Sequence, residues 1–208
     1  MKIVFISDTH GQHDLLNLPS GDMIVHAGDV SSRGTHIEVF KFLNWFGNLD
    51  FKYKIFIAGN HDFFFEIAES SFINSMIPEG VMYLNDTGVE IEGIKIWGSP
   101  IQPWFNNWAF NRERGEEIKQ YWNKIPDNLD ILITHGPPNG ILDKTIRGES
   151  VGCEDLYDTI SKVKPKIHVF GHIHEAYGVE SKNGISFINA SVLNLSYQMT
   201  NLPVTLTV

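Results

Sequence analysis

Lys2-Ile3-Val4-Phe5-Ile6-Ser7-Asp8-Thr9-His10 sets the pattern for the chain: an apolar run of β-branched and aromatic residues that stops at a carboxylate and an imidazole two residues apart. Such a run reads as a strand. In extended backbone past its end, residues two apart project to one side, so Asp8 and His10 can address a single ion. The arrangement recurs. Met23–Ala27 runs into Gly28-Asp29, residues 53–58 into Gly59-Asn60-His61-Asp62, Ile131–Thr134 into His135-Gly136, and Ile167–Phe170 into Gly171-His172-Ile173-His174. Ligand sites in α/β sheets lie at the carboxyl ends of strands. The five runs are therefore read as one metal site assembled from five strand ends.

Between the strands the texture is helical. Residues 35–49 place Ile37, Phe40, Leu43 and Phe46 three apart, which predicts a helix with those residues on its buried face and Thr35 as N-cap. Strand and helix alternating in this order point to a parallel or mixed sheet. From about Val81 the pattern turns to hairpins, with Val89-Glu90-Ile91-Glu92, a turn at Gly93, and Ile94-Lys95-Ile96-Trp97, so a second sheet is expected to begin there. An aromatic loop, Pro103-Trp104-Phe105-Asn106-Asn107-Trp108, follows, and residues 112–124 and Glu154–Val163 read as helices. From Tyr177 onward short strands are expected between Asn, Gly and Pro. No linker, low-complexity tract or internal repeat interrupts the 208 residues, of which 42% are hydrophobic, so one compact domain, residues 1–208, is expected.

Composition narrows the function. The formal charge of −9 argues against a duplex-binding surface, whose affinity comes from Lys and Arg neutralising phosphates. The first apolar run is too short for a signal peptide, and no run approaches the ~18 residues of a membrane span. Cys153 is the only cysteine, so no intrachain disulfide can form. A soluble, cytoplasmic protein with no membrane partner is expected. Asn85-Asp86-Thr87, Asn189-Ala190-Ser191 and Asn194-Leu195-Ser196 match the glycosylation sequon but carry no functional weight without a secretion signal.

Asp29 offers two oxygens that could bridge paired cations, although Gly-Asp is also an ordinary turn. In Gly59-Asn60-His61-Asp62, Asn60 offers a neutral oxygen to a metal or substrate. His61 can donate a proton near neutral pH, and Asp62 could orient that imidazole. The same run also fits a helix start capped by Asn60. Five of nine histidines fall in the motifs, which packing alone does not explain. Of the rest, His26 and His168 are assigned to the core, His36 to structure or surface, and His13 to the border of the cleft.

The motifs Asp8-Thr9-His10, Gly28-Asp29, Gly59-Asn60-His61-Asp62, His135 and Gly171-His172-Ile173-His174, in this order after strands, resemble the signature of the calcineurin-like metallophosphoesterase superfamily. Thr134-His135-Gly136-Pro137-Pro138, Gln102-Pro103-Trp104-Phe105, Val151-Gly152-Cys153 and the run from Phe170 to Ser191 are similar to its metallophosphoesterase-domain-containing branch. The resemblance implies an α/β (α+β) fold, a four-layer αββα sandwich of two mixed β-sheets flanked by helices. It implies two divalent transition-metal ions, one held by Asp8, His10, Asp29 and His174 and the second by Asp29, Asn60, His135 and His172. The oxygen and nitrogen donors suit Mn, Fe, Zn, Co or Ni, with Mn favoured. The implied reaction is hydrolysis of a phosphate ester by metal-activated water, with His61 as proton donor.

Arg33 in Gly28-Asp29-Val30-Ser31-Ser32-Arg33-Gly34 has the spacing of a phosphate-gripping arginine in the related protein phosphatases, the other reading being a solvated loop residue. In the same run Ser32 stands where those phosphatases have a second aspartate. Trp104, Phe105 and Trp108 could wall a nucleobase or pack in the core. A phosphodiesterase acting on a small, nucleotide-like substrate is expected. The alternatives are a phosphomonoesterase using the same site and a metal- or nucleotide-binding scaffold of low activity. A nuclease subunit is disfavoured by the acidic balance. Oligomeric state is not readable from these residues, a homodimer being the commonest assembly.

Overall fold

The computed structural model describes Met1–Val208. In chain order the elements are β1 (Lys2–Ile6), β2 (Met23–Ala27), α1 (His36–Gly47), β3 (Tyr53–Ile57), α2 (Phe63–Ile67), α3 (Ser70–Met76), β4 (Val81–Tyr83), β5 (Thr87–Ile91) and β6 (Ile94–Ser99). They continue with β7 (Gln102–Pro103), β8 (Asn111–Arg112), α4 (Glu116–Trp122), β9 (Ile131–Thr134), α5 (Glu154–Val163), β10 (Ile167–Phe170), β11 (Gly178–Lys182), β12 (Ile185–Asn189) and β13 (Val204–Thr207).

The strands form two large mixed sheets, ordered β13-β1-β2-β3-β4 and β11-β12-β10-β9-β6-β5. Each has a parallel centre: β13 pairs antiparallel with β1 at one edge of the first sheet, whose other edge strand β4 is parallel to β3, and β11 and β5 pair antiparallel with β12 and β6 at the two edges of the second. Strands buried on both faces read as continuous apolar runs, and the two faces of β1 show the division. Ile3 and Phe5 join Val25, Ile55, Ile133, Val169 and Ile188 in the layer between the sheets. Val4 and Ile6 pack outward with Ile24, Phe56 and the α1 residues Val39, Phe42 and Phe46. On the far side Leu132, Phe170 and Phe187 pack with Trp122 of α4 and with Leu156 and Ile160 of α5. The result is helix, sheet, sheet, helix, with the sandwich interior dry and aliphatic.

Three local expectations are corrected. Helix α1 starts where Thr35 caps it, but Ile37 and Phe40 are exposed, and its buried stripe is Val39, Phe42, Leu43 and Phe46. The second sheet begins at Thr87, because β4 pairs parallel with β3 in the first sheet. Only Glu116–Trp122 of the segment 112–124 is helical, since Arg112 lies in β8 and Gly115 turns the chain with φ 83°. No helix is long and apolar enough to cross a membrane.

Candidate metal centre

The parallel strands β1, β2 and β3 of one sheet and β9 and β10 of the other end at the same edge of the sandwich. The loops there are laced together by main-chain bonds. Asp8 N–H donates to the Gly28 carbonyl and His10 N–H to the Asp29 carbonyl, both at 3.0 Å, and Gly171 N–H donates to the His135 carbonyl at 3.0 Å. The sheets are joined at this edge by a bridge between Ser7 and Ser191. Asp8, His10, Asp29 and His172 have positive φ values of 56°, 43°, 55° and 69°. Left-handed backbone in non-glycine residues costs free energy and persists where surrounding structure dictates it. Here it turns four of the ligand candidates off their strand ends toward one point.

Two glycines show how closely the loops approach. A Cβ on Gly59 would run into the Asp29 carboxylate and the His135 ring, and one on Gly171 into the carboxylate of Asp8 and the hydroxyl of Ser7. Each motif's glycine thus leaves room for a side chain from another motif.

The side chains converge in three overlapping groups: Asp8 with His10 and His174, His10 with Asp29 and His61, and Asp29 with His135 and His172. Asp29 Oδ2 stands 3.5 Å from His10 Nε2, 3.4 Å from His135 Nε2 and 4.0 Å from His61 Nε2. Its other oxygen accepts from His61 N–H at 2.8 Å. His174 Nε2 lies 3.5 Å from Asp8 Oδ1 and 3.3 Å from His10 Nε2. Asn60 Oδ1 faces His135 Nε2 at 2.8 Å.

The outer ring nitrogens fix the tautomers. His135 Nδ1 donates to the Ala27 carbonyl at 3.0 Å and His174 Nδ1 to the Asn194 carbonyl at 3.1 Å, so each Nε2 presents its lone pair inward. Ser191 Oγ donates to Asp8 Oδ2 at 2.7 Å, and the His172 N–H donates to the same carboxylate. Inward lone pairs, two buried carboxylates and the Asn60 amide oxygen make a donor set that fits transition-metal ions.

The electrostatics agree. Burial would raise the carboxyls of Asp8 and Asp29, but the facing imidazoles hold both well below the usual range. Burial would lower His135 and His174, but Asp29 beside the first and Asp8 beside the second push each up to about 9. On each ring it is Nε2 that carries this extra proton, and a cation bound there would take its place on the lone pair. His172, buried next to His135, is pushed down to about 4.

His61 stands beside this cluster, half-buried. Its Nδ1 lies 2.7 Å from the Ser32 carbonyl. Its ring packs on Trp108 with centroids 4.2 Å apart and meets His10 edge-on at 4.6 Å. Asp62, expected to orient His61, does something else. Its carboxylate accepts from Val30 N–H (3.1 Å), Ser31 N–H (2.9 Å), Ser31 Oγ–H (2.6 Å) and Gly59 N–H (2.8 Å), clamping the loop after β2 to the loop after β3. Burial and the nearby Asp29 charge push Asp62 up to about 6. Nor does Asn60 cap a helix, because α2 begins only after Asp62.

Arg33 is exposed, and its side chain makes no hydrogen bond or ion pair within the protein. His26 and His168 are fully buried, and His13 is buried against Phe42 and Trp45 rather than at the cleft. The aromatic loop divides. Trp104 and Phe105, both more than half exposed, line a cleft of about 660 Å³ with Arg114, Ile146, Arg147 and His172, whereas Trp108 is taken up by His61 and Phe63. Sequence reasoning missed Ser191, the Ser32 carbonyl, Trp108 as partner of His61, and Tyr197. The Asn189-Ala190-Ser191 run, without weight as a glycosylation sequon but part of the family resemblance, contains the serine that holds Asp8.

Comparison with known proteins agrees with this geometry. The profile of the calcineurin-like phosphoesterase family matches residues 1–176. Human "Metallophosphoesterase domain-containing protein 1" is 41% identical over 226 residues, spanning 98% of this chain and 69% of that protein. A "Probable glycerophosphodiester phosphodiesterase" of Arcobacter nitrofigilis is 26% identical, spanning 75% of this chain and 58% of that protein. Among solved structures, the phosphopantetheinyl hydrolase of Mycobacterium tuberculosis superposes with a TM-score of 0.65 at 16% identity, covering 94% of this chain and 90% of that one.

Proposed function

The chain belongs to the calcineurin-like phosphoesterase family, whose chemistry is metal-dependent hydrolysis of phosphate esters, and on that premise we propose that it cleaves a phosphodiester of a small, nucleotide-like substrate. The observation that carries the reading is the position of Asp29 Oδ2, 3.5 Å from His10 and 3.4 Å from His135 and so common to both ligand groups. A carboxylate in that position suits a pair of cations, because an anion between them screens their repulsion. Asp8, His10, Asp29 and His174 would hold one ion and Asp29, Asn60, His135 and His172 the other, with Mn the favoured occupant. When bound, the ions supply Lewis acidity, polarising phosphoryl oxygens and acidifying the attacking water.

The protein's own groups do the rest. His61, its Nδ1–H engaged by the Ser32 carbonyl, keeps Nε2 for the leaving alkoxide and, as the imidazolium, gives it the Nε2 proton and becomes the neutral ring. Trp108 fixes the plane of that ring. Arg33, free of acidic partners, reaches for a phosphoryl oxygen from the loop after β2, and Asn60 serves substrate as well as metal. Asp62 acts by holding the two loops in register. Trp104 and Phe105 give the cleft aromatic faces on which a base stacks, and the leaving group lies along them.

The preference for a diester rests on charge. No Lys or Arg is buried at the site to balance the second charge of a monoester. The name of the Arcobacter relative points the same way. The single, buried cysteine suits a reducing compartment, and we place the protein in the cytoplasm.

The test is Asp29→Ala. Loss of bound metal and of nearly all hydrolysis is expected, by elemental analysis and by turnover of bis(p-nitrophenyl) phosphate with Mn. Near-normal turnover in that variant would refute the paired-ion mechanism. Faster turnover of p-nitrophenyl phosphate than of the diester by the wild-type protein would make it a monoesterase.

A further inference from the structure

Tyr197 lies between β12 and β13, beyond the residues that the family profile matches. Its backbone is left-handed, with φ 56°. For a bulky side chain that conformation is a strain that something must support. The support is local and specific. Asn194 Oδ1 accepts from Ser196 N–H at 2.9 Å and Gln198 N–H at 3.0 Å, and Gln12 Nε2 donates to the Tyr197 carbonyl at 3.1 Å. The carbonyl of the same Asn194 receives His174 Nδ1–H at 3.1 Å, so one turn both orients a ligand and presents the tyrosine.

The phenol ring stands edge-on to His10, with centroids 4.9 Å apart, and to His174 at 5.3 Å. Its hydroxyl makes no hydrogen bond within the protein. The hydroxyls of Tyr53, Tyr121 and Tyr177 are paired with Glu92, Arg112 and the Leu202 carbonyl, and that of Tyr83, also unpaired, is shut in the core away from the site.

We propose that Tyr197 is a substrate-binding residue whose hydroxyl donates a hydrogen bond to a non-bridging oxygen of a phosphoryl group held beside His10 and His174, a role that rests on the phosphoester reading above. The strained backbone holds the ring where that contact is made, and the edge-on packing keeps water from the two imidazoles. A packing role alone would need only the ring.

Y197F separates the two, because it removes the oxygen and keeps the ring. Inorganic phosphate binding to the Mn-loaded protein is measured by calorimetry, alongside metal content and melting temperature. Binding about tenfold weaker is expected in Y197F, as for one hydrogen bond to a charged group, with metal content and melting temperature as in the wild type. Unchanged phosphate affinity overturns the assignment. So does a loss of metal that accounts for the weaker binding, since the hydroxyl would then serve the metal shell. If phosphate binding responds while the wild-type protein turns over no diester, the hydrolytic reading falls and Tyr197 stands. If the wild type hydrolyses the diester and Y197F equals it in kcat/KM and in phosphate affinity, Tyr197 falls and the hydrolytic reading stands.

Discussion

At the scale of single residues, the proposed metal ligands depend on partners outside the cluster. Ser191 is the clearest case, its hydroxyl 2.7 Å from Asp8 Oδ2 in a buried position. Partners of metal ligands commonly contribute 10–100-fold in metal affinity, because they fix the ligand's orientation. Ser191→Ala is therefore expected to weaken binding of one ion by about tenfold or more while leaving the fold intact, as measured by competition with a fluorescent chelator and by circular dichroism. An unchanged affinity would mean that the two His172 N–H contacts hold Asp8 unaided. The ligand candidates themselves were legible in the sequence, because each follows an apolar strand and five of the nine histidines fall at those strand ends. Ser191 was not legible. It lies 183 positions from Asp8, and only the pairing of Ser7 with Ser191 brings them together. Asp62 shows the opposite error, since adjacency in sequence suggested a service to His61 that the loop geometry assigns to the Ser32 carbonyl.

At the scale of elements, helix α1 links stability to the site. Thr35 Oγ1 accepts from Glu38 N–H at 3.3 Å, and Glu38 Oε2 accepts from Thr35 N–H at 3.0 Å, a reciprocal capping box. Glu38 Oε1 also receives the Ser32 N–H at 3.3 Å, so the cap steadies the residue whose carbonyl holds His61. Thr35→Ala is expected to cost about 1 kcal/mol, read as a drop of about 2–4 °C in melting temperature. A small loss of turnover, with metal content unchanged, should accompany it. The cap was legible, the buried face less so. A three-residue spacing turns 60° backward round the helix at each step, so Ile37, Phe40, Leu43 and Phe46 do not share a face. Val39, Phe42, Leu43 and Phe46 follow the i, i+3, i+4, i+7 pattern that does. The sheets were read more easily, because fully apolar strands leave little choice of layer. The exception was β4, whose three residues are too few to declare which sheet they join.

At the scale of the whole molecule, the two dry layers that build the sandwich also hold imidazoles that carry no charge. Burial pushes His26 and His168 down to about 3. Thr134 Oγ1 donates to the Gly136 carbonyl, so it accepts from His168 Nε2–H at 2.8 Å, and Nδ1 of that ring is left bare. Unfolded, such a ring titrates near 6.5. Between the two values the unfolded chain binds more protons than the folded one. Stability is therefore full above about pH 6.5 and is lost as pH falls toward about 3, at up to about 1.4 kcal/mol per pH unit for each ring. Urea unfolding of chelator-treated protein at pH 7 and pH 5 measures the slope. His168→Phe is expected to make it shallower by about one proton, and an unchanged slope would show that His168 is already charged in the folded state.

The close approach of the loops has a further consequence for how such a protein can change over generations. Gly171 belongs to one sheet and clears space for Asp8 of the other, while Gly59 clears space for Asp29 and His135. A side chain at Gly171 would also meet Ser7, and one at Gly59 would also meet the Asp29 main chain, so loss of a ligand relieves only part of each clash. The motifs are therefore bound by epistasis across the sandwich: losing a ligand relaxes the constraint on its distant glycine without removing it. A descendant that had lost its carboxylates and imidazoles would still be expected to keep both glycines.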